Sequence, residues 1–489
     1  MMRRNTGTKL SFAACGLLAA MLLAPGCARV TTPSDDGSAD IRPTRAGLTE
    51  RQRADNVASF DLTWETIRDN HYDANLNGVD WQAVRDELRP EVIDAESMAE
   101  ARAVMQEMIG RLSESHYAII PADSFESGLT EELLSDDPTT APAGSGSSGL
   151  PGTVGFDIAI AGDAAIVTNV SDEVADRYPA VVPGAEIIAV NGKPLEPLLD
   201  RLYDETNGDL LGEFVRKMAV TDLLNGDRGS AVEVELESVD GQRDLVGIER
   251  TAPEGELVQF GNLPPFPMTV ESRTFDSPEG PVVYITFNIF LAPPKLIPAI
   301  RDAVQNAVEQ NAAGVIIDVR GNPGGLGALA GGIVGYFVDE TGLKLGTMEQ
   351  RGTTLDFNVN PRRPYYDGPL AVLIDGGSMS TSEIFAQGLA DLDRARLFGT
   401  RTAGAALPSV IIDLPNGDKL QYAFADYVSD KGQRLEGNGV QPDVRVVPDR
   451  ATYAAGKDPV IEAALQWITQ VRAAEREENR RNGTRRRAA

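Results

Sequence analysis

An α/β protein with a helical N-terminal region and a β-rich middle segment is the fold class that these 489 residues predict. Three observations carry it. Val282 to Ile289, Val315-Ile316-Ile317-Asp318-Val319 and Leu370 to Ile374 are short, largely apolar runs with the length of strands. Between and after them lie helical stretches: Ile297, Ile300, Val304 and Val308 on one face, an Ala/Gly-rich segment after Gly325, and Ser382 to Leu392. Strands apolar throughout need helices on both faces of their sheet, which is an α/β core.

The elements follow in order. Arg3, Arg4 and Lys9 precede the apolar run Leu10 to Leu23, a charged n-region with an h-region short for a bilayer span, so residues 1–27 read as an export signal. The segment ends in Leu23-Ala24-Pro25-Gly26-Cys27 and resembles a bacterial lipoprotein signal, with Ala24 where Leu is usual. That resemblance implies acylation of Cys27 and a lipid anchor in the cell envelope; simple cleavage with release is the alternative. Cys15 and Cys27 are the two cysteines, so a mature chain beginning at Cys27 has neither an internal disulfide nor a Cys-based metal site. Residues 28–50 are polar and read as a tether.

Val57, Phe60, Trp64 and Ile67, then Val104, Met108 and Leu112, keep helical spacing and predict a small helical domain over 51–125. Residues 126–149 read as a linker, with Thr139, Thr140 and the run Gly144 to Gly149. Over 150–252, Val154-Gly155-Phe156-Asp157-Ile158 and Ala165-Ile166-Val167 precede Pro183-Gly184-Ala185-Glu186-Ile187-Ile188-Ala189-Val190-Asn191-Gly192-Lys193. This order resembles a PDZ domain, which implies capture of a peptide as an added strand with its carboxylate on backbone N–H groups; a plain β-rich spacer is the alternative. The α/β core is expected over 253–473, with a hairpin around Asn416-Gly417 and a last helix opened by Asp458-Pro459. Residues 474–489, with Arg480, Arg481 and Arg485 to Arg487, read as a basic disordered tail.

A composition of 42% hydrophobic and 24% charged residues is that of a soluble globular protein, and the length calls for two to four domains. A net charge of −28 without a basic stripe argues against nucleic acid as a partner. The sequence presents no metal-ligand cluster and no phosphate-cradling loop, so no cofactor is expected. It does not disclose the oligomeric state.

Chemistry concentrates in Asp375-Gly376-Gly377-Ser378-Met379-Ser380-Thr381-Ser382-Glu383-Ile384-Phe385-Ala386. A strand running through glycines into a helix projects a serine from a tight turn beside helix N-terminal amides, which suits a nucleophile next to an oxyanion site. The same Ser-x-x-Glu also fits a capping box that needs no catalysis. The stretch resembles the Ser-x-Ser-x-Ser-Glu-x-Phe signature of the tail-specific (carboxyl-terminal-processing) serine proteases, whose middle serine, here Ser380, is the nucleophile. Asp318-Val319-Arg320-Gly321-Asn322-Pro323-Gly324-Gly325 resembles the family's Asp-x-Arg-x-Asn-x-Gly-Gly turn. The resemblance spans roughly 52–470 and implies a crotonase-like protease core, polypeptide substrates and cleavage near apolar C-termini. It also implies an oxyanion hole from Thr381 N–H and either Gly324 or Gly325.

Many family members activate the serine with a lysine about twenty-five residues on, where this chain has Ala405. Of the two histidines, His71 is expected at the surface, whereas Ser115-His116 resembles the Ser-His pair of the tricorn-type branch. Leu435-Glu436-Gly437-Asn438-Gly439-Val440-Gln441-Pro442-Asp443 is similar to that branch's Glu-x-x-Gly-Val-x-Pro-Asp run, and Arg401-Thr402-Ala403-Gly404 is tricorn-like too. The resemblance implies a tetrad: Ser380 as nucleophile, His116 as base and acid, Ser115 and Glu436 orienting the imidazole. Ser378 and Ser382 are rival nucleophiles, and Lys419 or Lys431 a displaced dyad base. A non-catalytic peptide- or ligand-binding lipoprotein on the same fold is the reading from another class.

Overall fold

The computed structural model describes residues 47–122, 150–206, 211–258 and 266–488. The expected export signal with Cys27, most of the tether and the linker 126–149 lie outside these residues. The chain divides into two compact units, one of Met1–Gly128 with Ser409–Ala425, the other of Leu129–Pro408 with Asp426–Ala489.

In the first unit three helices, Glu50–Asn70, Trp81–Asp94 and Met98–Gly110, precede the strand Ala118–Ile120. A capping box opens the first: Gln52 N–H donates to Thr49 Oγ1 at 3.2 Å and Thr49 N–H to Gln52 Oε1 at 3.0 Å. Ser97 caps the third by accepting from Glu100 N–H. Phe60, Ile67, Met105 and Met108 are buried, and Trp64 and Trp81 each donate the indole N–H to the other's carbonyl. The hairpin expected around Asn416-Gly417 exists, Ser409–Asp413 pairing antiparallel with Lys419–Ala423. It belongs to this unit, because Lys419–Ala423 also pairs with Ala118–Ile120. Asn56 and Ser59, polar yet buried, accept from Asn416. Asp418, fully buried, accepts from the Arg102 guanidinium and from Ala122 N–H at 2.8 Å.

The second unit holds two sheets of note. Phe156–Ala161, Ala164–Val170, Glu186–Val190, Ala231–Glu237 and Arg243–Glu249 lie side by side in that order, all antiparallel. Their apolar faces close over Val167, Ile187, Val232 and Val234, and the helix Leu211–Leu224 adds Val220 and Leu224. The other sheet runs Val270–Phe275, Val282–Phe287, Gly314–Asp318, Leu370–Ile374, Arg396–Gly399, Val444–Arg445. Its first pair is antiparallel and the rest parallel. Gly314–Asp318 and Leu370–Ile374 are buried at every residue, as expected of strands covered on both faces. The mixed α/β class with a helical N-terminal region is therefore the observed one.

Asp318 and Leu373 are register partners, so these two central strands end side by side. The glycine-rich segments 319–325 and 375–380 leave from neighbouring carboxyl ends, where open α/β sheets carry their sites. One expectation is corrected: the last helix, Pro459–Ala488, continues through the segment read as a disordered tail. Asp458 caps it, accepting from Val460 N–H at 2.8 Å. Arg472–Glu475 and Arg481–Glu477 pairs, one turn apart, support its exposed stretch.

Candidate active site

Ser380 stands where the strand Leu370–Ile374, after a turn through Gly376 and Gly377, becomes the helix Thr381–Asp391. Its backbone has φ 54° and ψ −117°, a conformation L-residues adopt only when their surroundings impose it. Two acceptors do so: Ser380 N–H lies 2.8 Å from the Ala405 carbonyl and 3.1 Å from Glu383 Oε2. Glu383 is fully buried and also accepts from Thr402 Oγ1 at 2.6 Å, Gly404 N–H at 2.8 Å and Ala405 N–H at 2.9 Å. Burial pushes its carboxyl up to about 7, opposed by the Thr402, Gly404 and Ala405 hydrogen bonds. The carboxylate half of the expected capping box is thus present, and it locks the turn as well as the helix end.

The flanking serines have other tasks. Ser378 Oγ donates to the Val319 carbonyl at 2.7 Å and accepts from Asp375 N–H at 3.1 Å. Ser382 Oγ donates to the Asn322 carbonyl at 2.8 Å, and both hydroxyl-bearing residues are fully buried. They stitch the 375–382 turn to the 319–325 turn. Asp375 Oδ1 adds two more stitches, accepting from Gly321 N–H at 2.7 Å and Gly377 N–H at 2.9 Å. Arg320 ties the same turn to Asp318 and Asp458, and those two carboxylates raise its pKa against the burial that lowers it.

Gly324 has φ +98°, and a Cβ there would stand 2.7 Å from Ser380 Cβ and 2.8 Å from Thr381 N. Its own N–H donates to Asn322 Oδ1 at 2.9 Å, whereas the Thr381 and Gly325 amides donate to no acceptor among the described residues. Thr381 Oγ1 binds the Gly325 carbonyl at 2.8 Å, holding these two amides on adjoining segments. Glu436 is buried, and its Oε2 accepts from Ala406 N–H at 2.9 Å. Gly437 N–H to Gly404 O, and Thr402 with Val440, join segments 402–406 and 436–440. Ala405 therefore adjoins Ser380 through its backbone and offers a methyl group. Lys419 pairs with Asp413 in the hairpin of the first unit, and Lys431 Nζ is 3.0 Å from Asp393.

In the first unit, Ser115 Oγ lies 2.7 Å from His116 Nδ1. His116 is 2% exposed, and burial pushes its imidazole down to about 4, so the ring is neutral at ordinary pH. His71, expected at the surface, is fully buried and its Nε2 sits 3.1 Å from Glu114 Oε2. The polar residues around it (Asp69, Asn70, Asp73) concealed this in the sequence.

Two further contacts escaped the sequence reading. Glu213, on the helix Leu211–Leu224, packs against Gly376 so closely that a Cβ there would lie 2.8 Å from its Cβ. Burial, then the Asp375 charge, pushes the Glu213 carboxyl up to about 7, while Lys217 Nζ, one turn on, is 3.9 Å from Asp375. Glu383 was visible only as a cap and a signature residue, since nothing local signals its bonds to 402–405. Among the described residues no group of three or more His, Cys, Asp or Glu could hold a metal ion.

Residues 281–446 match peptidase family S41, and residues 52–110 match the tricorn protease C1 domain. The S41 match takes in Ser380, Glu383 and Glu436. The chain is a serine-type peptidase and its substrates are polypeptides. It is 24% identical over 405 residues to carboxyl-terminal-processing peptidase 3, chloroplastic, of Arabidopsis thaliana, covering 80% of this chain and 70% of the relative. The photosystem II D1 C-terminal processing protease superposes with a TM-score of 0.52 at 21% identity, over 86% of this chain and 98% of its own. Mature CPAF complexed with lactacystin gives 0.55 at 14% identity, with 86% and 98% covered. These likenesses speak for the fold.

The close fit of Gly324 against Ser380 gives a test. Gly324→Ala should lower peptidase turnover by about 10²-fold, because the added methyl displaces the Ser380 turn by a fraction of an ångström or more. Gly247→Ala, where a Cβ meets nothing within 4 Å, should leave turnover unchanged. Equal activity of the two folded variants would refute the tight coupling of the turns.

Proposed function

We propose that this S41 peptidase works through Ser380, His116, Ser115 and Glu436, with Thr381 and Gly325 amides as the oxyanion hole. The observation that carries the nucleophile is the division of labour among three serines: Ser378 and Ser382 hydroxyls hold the two turns together, and Ser380 occupies the strained junction. For the base, support comes from a buried, neutral imidazole hydrogen-bonded to its neighbour's hydroxyl. With Nδ1–H donating to Ser115, Nε2 carries the lone pair that accepts the Ser380 proton. Ser380 Oγ adds to the scissile carbonyl, and the two amides take the negative oxygen. His116 then protonates the leaving amine, and water repeats the sequence on the acyl-enzyme. Glu436 in this reading stabilises the imidazolium that forms. Gly325 is preferred over Gly324 because the Gly324 amide is engaged by Asn322.

Substrate recognition is assigned to a PDZ-like segment over 150–252. Phe156–Ala161 is the edge strand of its sheet and is preceded by Val154-Gly155, so a C-terminal peptide can add as a further strand with its carboxylate near those amides. The N-terminal sequence supports export and acylation at Cys27. Among the described residues no helix is long and apolar enough to cross a membrane.

Four measurements test these readings. Ser380→Ala and His116→Ala should each lose several orders of magnitude in turnover, and the double variant should be scarcely worse than either. Lys419→Ala and Lys431→Ala should stay near wild type; a dead lysine variant beside an active His116→Ala would sink the tetrad. Protonation removes the base, so kcat/KM should fall as pH drops through about 4, well below the ordinary imidazole value of about 6.5. Because the unfolded chain takes up that proton first, stability should also decline from about 6.5 downward, and unfolding must be followed in parallel. For recognition, amidating the C-terminus of a polypeptide substrate should raise KM at least about tenfold with kcat retained; equal KM values would remove the carboxylate role. For anchoring, radiolabelled palmitate should be incorporated in wild type and absent from Cys27→Ser; label retained in the variant refutes acylation there.

A further inference from the structure

We propose that Glu114 and His71 are positioning residues that set the Ser115–His116 pair, an inference that rests on His116 being the general base. The turn carrying the pair is strained at both ends, Ser113 at φ 55° and His116 at φ 63°. Non-glycine residues hold such angles only where tertiary contacts over-determine them. After the pair, the constraint is evident: Ala118–Ile120 is paired with Lys419–Ala423, and the Tyr117 hydroxyl donates to the Ala423 carbonyl at 3.2 Å.

Before the pair, the constraint is Glu114. Its side chain is 7% exposed, and both oxygens accept: Oε2 from His71 Nε2 at 3.1 Å, Oε1 from the Tyr72 hydroxyl. His71 Nδ1 lies 3.0 Å from both the N–H and the carbonyl of Asp73, which orients the ring so that Nε2 meets Glu114. The His71 ring stacks on Tyr72 at 4.6 Å and on Tyr117 at 6.1 Å between centroids. One cluster therefore grips the residue before the pair and the residue after it. Burial raises the Glu114 pKa, but the His71, Tyr72 and Asn77 hydrogen bonds outweigh it and hold the group below the usual carboxylate range. A buried carboxylate is a costly way to fill space, and apolar side chains of like volume would pack as well. What the carboxylate supplies is direction: two bonds fix one side chain, and through it the backbone next to Ser115.

The test uses the full chain and a fluorophosphonate probe, read as both final label per protein and rate of labelling at Ser380. Glu114→Ala and His71→Leu should reach the wild-type final label about 10–100-fold more slowly, with peptide kcat lowered in step and KM little changed. Tyr72→Phe, which keeps the ring and loses one bond, should slow labelling by a smaller factor. His71→Gln, whose amide N–H can replace Nε2–H, should recover most of the lost rate. A merely structural role would lower the final label and leave the rate of the remaining active molecules unchanged, with no recovery in His71→Gln. That pattern, or wild-type rates in the folded Glu114 and His71 variants while His116→Ala is slow, would overturn the proposal. Wild-type labelling in His116→Ala would instead overturn the reading of the base on which it rests.

Discussion

A single buried carboxylate governs the geometry around Ser380. Glu383 receives hydrogen bonds from Ser380 N–H, Thr402, Gly404 and Ala405, and so joins a helix N-terminus, a strained junction and a loop twenty residues downstream. Donor groups that converge on one buried acceptor have no second choice, since an unsatisfied amide in that interior costs about 1–3 kcal/mol. The arrangement explains how a non-glycine residue is kept at positive φ without a flexible hinge. It also explains why the loop at 402–406 and the segment at 436–440 follow the turn, for each is bonded to a group that Glu383 fixes.

Around this anchor the two glycine-rich turns act as one object. Parallel strands in register deliver them to the same edge of the sheet, and Ser378, Ser382 and Asp375 sew them together. Close approach then demands glycine at 324 and 376, where any side chain would enter space held by Ser380 and Glu213. The outcome is a rigid floor in which the Thr381 and Gly325 amides donate to no acceptor among the described residues. Chemistry that develops charge quickly benefits from donors that need not reorganise.

Much of this was legible from the sequence because the signals are local. Apolar runs of strand length, helical spacing at Ile297 to Val304, the Asn416-Gly417 turn and the Asp458-Pro459 start each depend on neighbours a few residues away. Ser380 stood out for the same reason, in a strand-glycine-helix passage. What stayed hidden depends on distant partners. His71 looked like a surface residue because polar residues flank it, and its distant partners are Glu114, 43 positions on, and Tyr117. Glu383 displayed its cap and concealed its loop. Asn56 and Ser59 broke the apolar pattern of their helix because they meet Asn416, about 360 positions away. The basic tail read as disordered from composition, while charge pairs one turn apart sustain a helix there.

That last distance has a bearing on how the chain comes together during synthesis. The unit that carries Ser115 and His116 is built from the N-terminal helices and from Ser409–Ala425, with Tyr117 bonded to Ala423 across 306 positions. A ribosome delivering about 5–20 residues each second leaves those helices waiting tens of seconds for the hairpin that completes their unit. Closing so long a loop is also slow, because its entropy is lost before its contacts form. The histidine turn therefore matures late, after the strand that leads to Ser380 has already been made. Until then the unit that holds the histidine turn is incomplete, a delay that resides in chain connectivity alone.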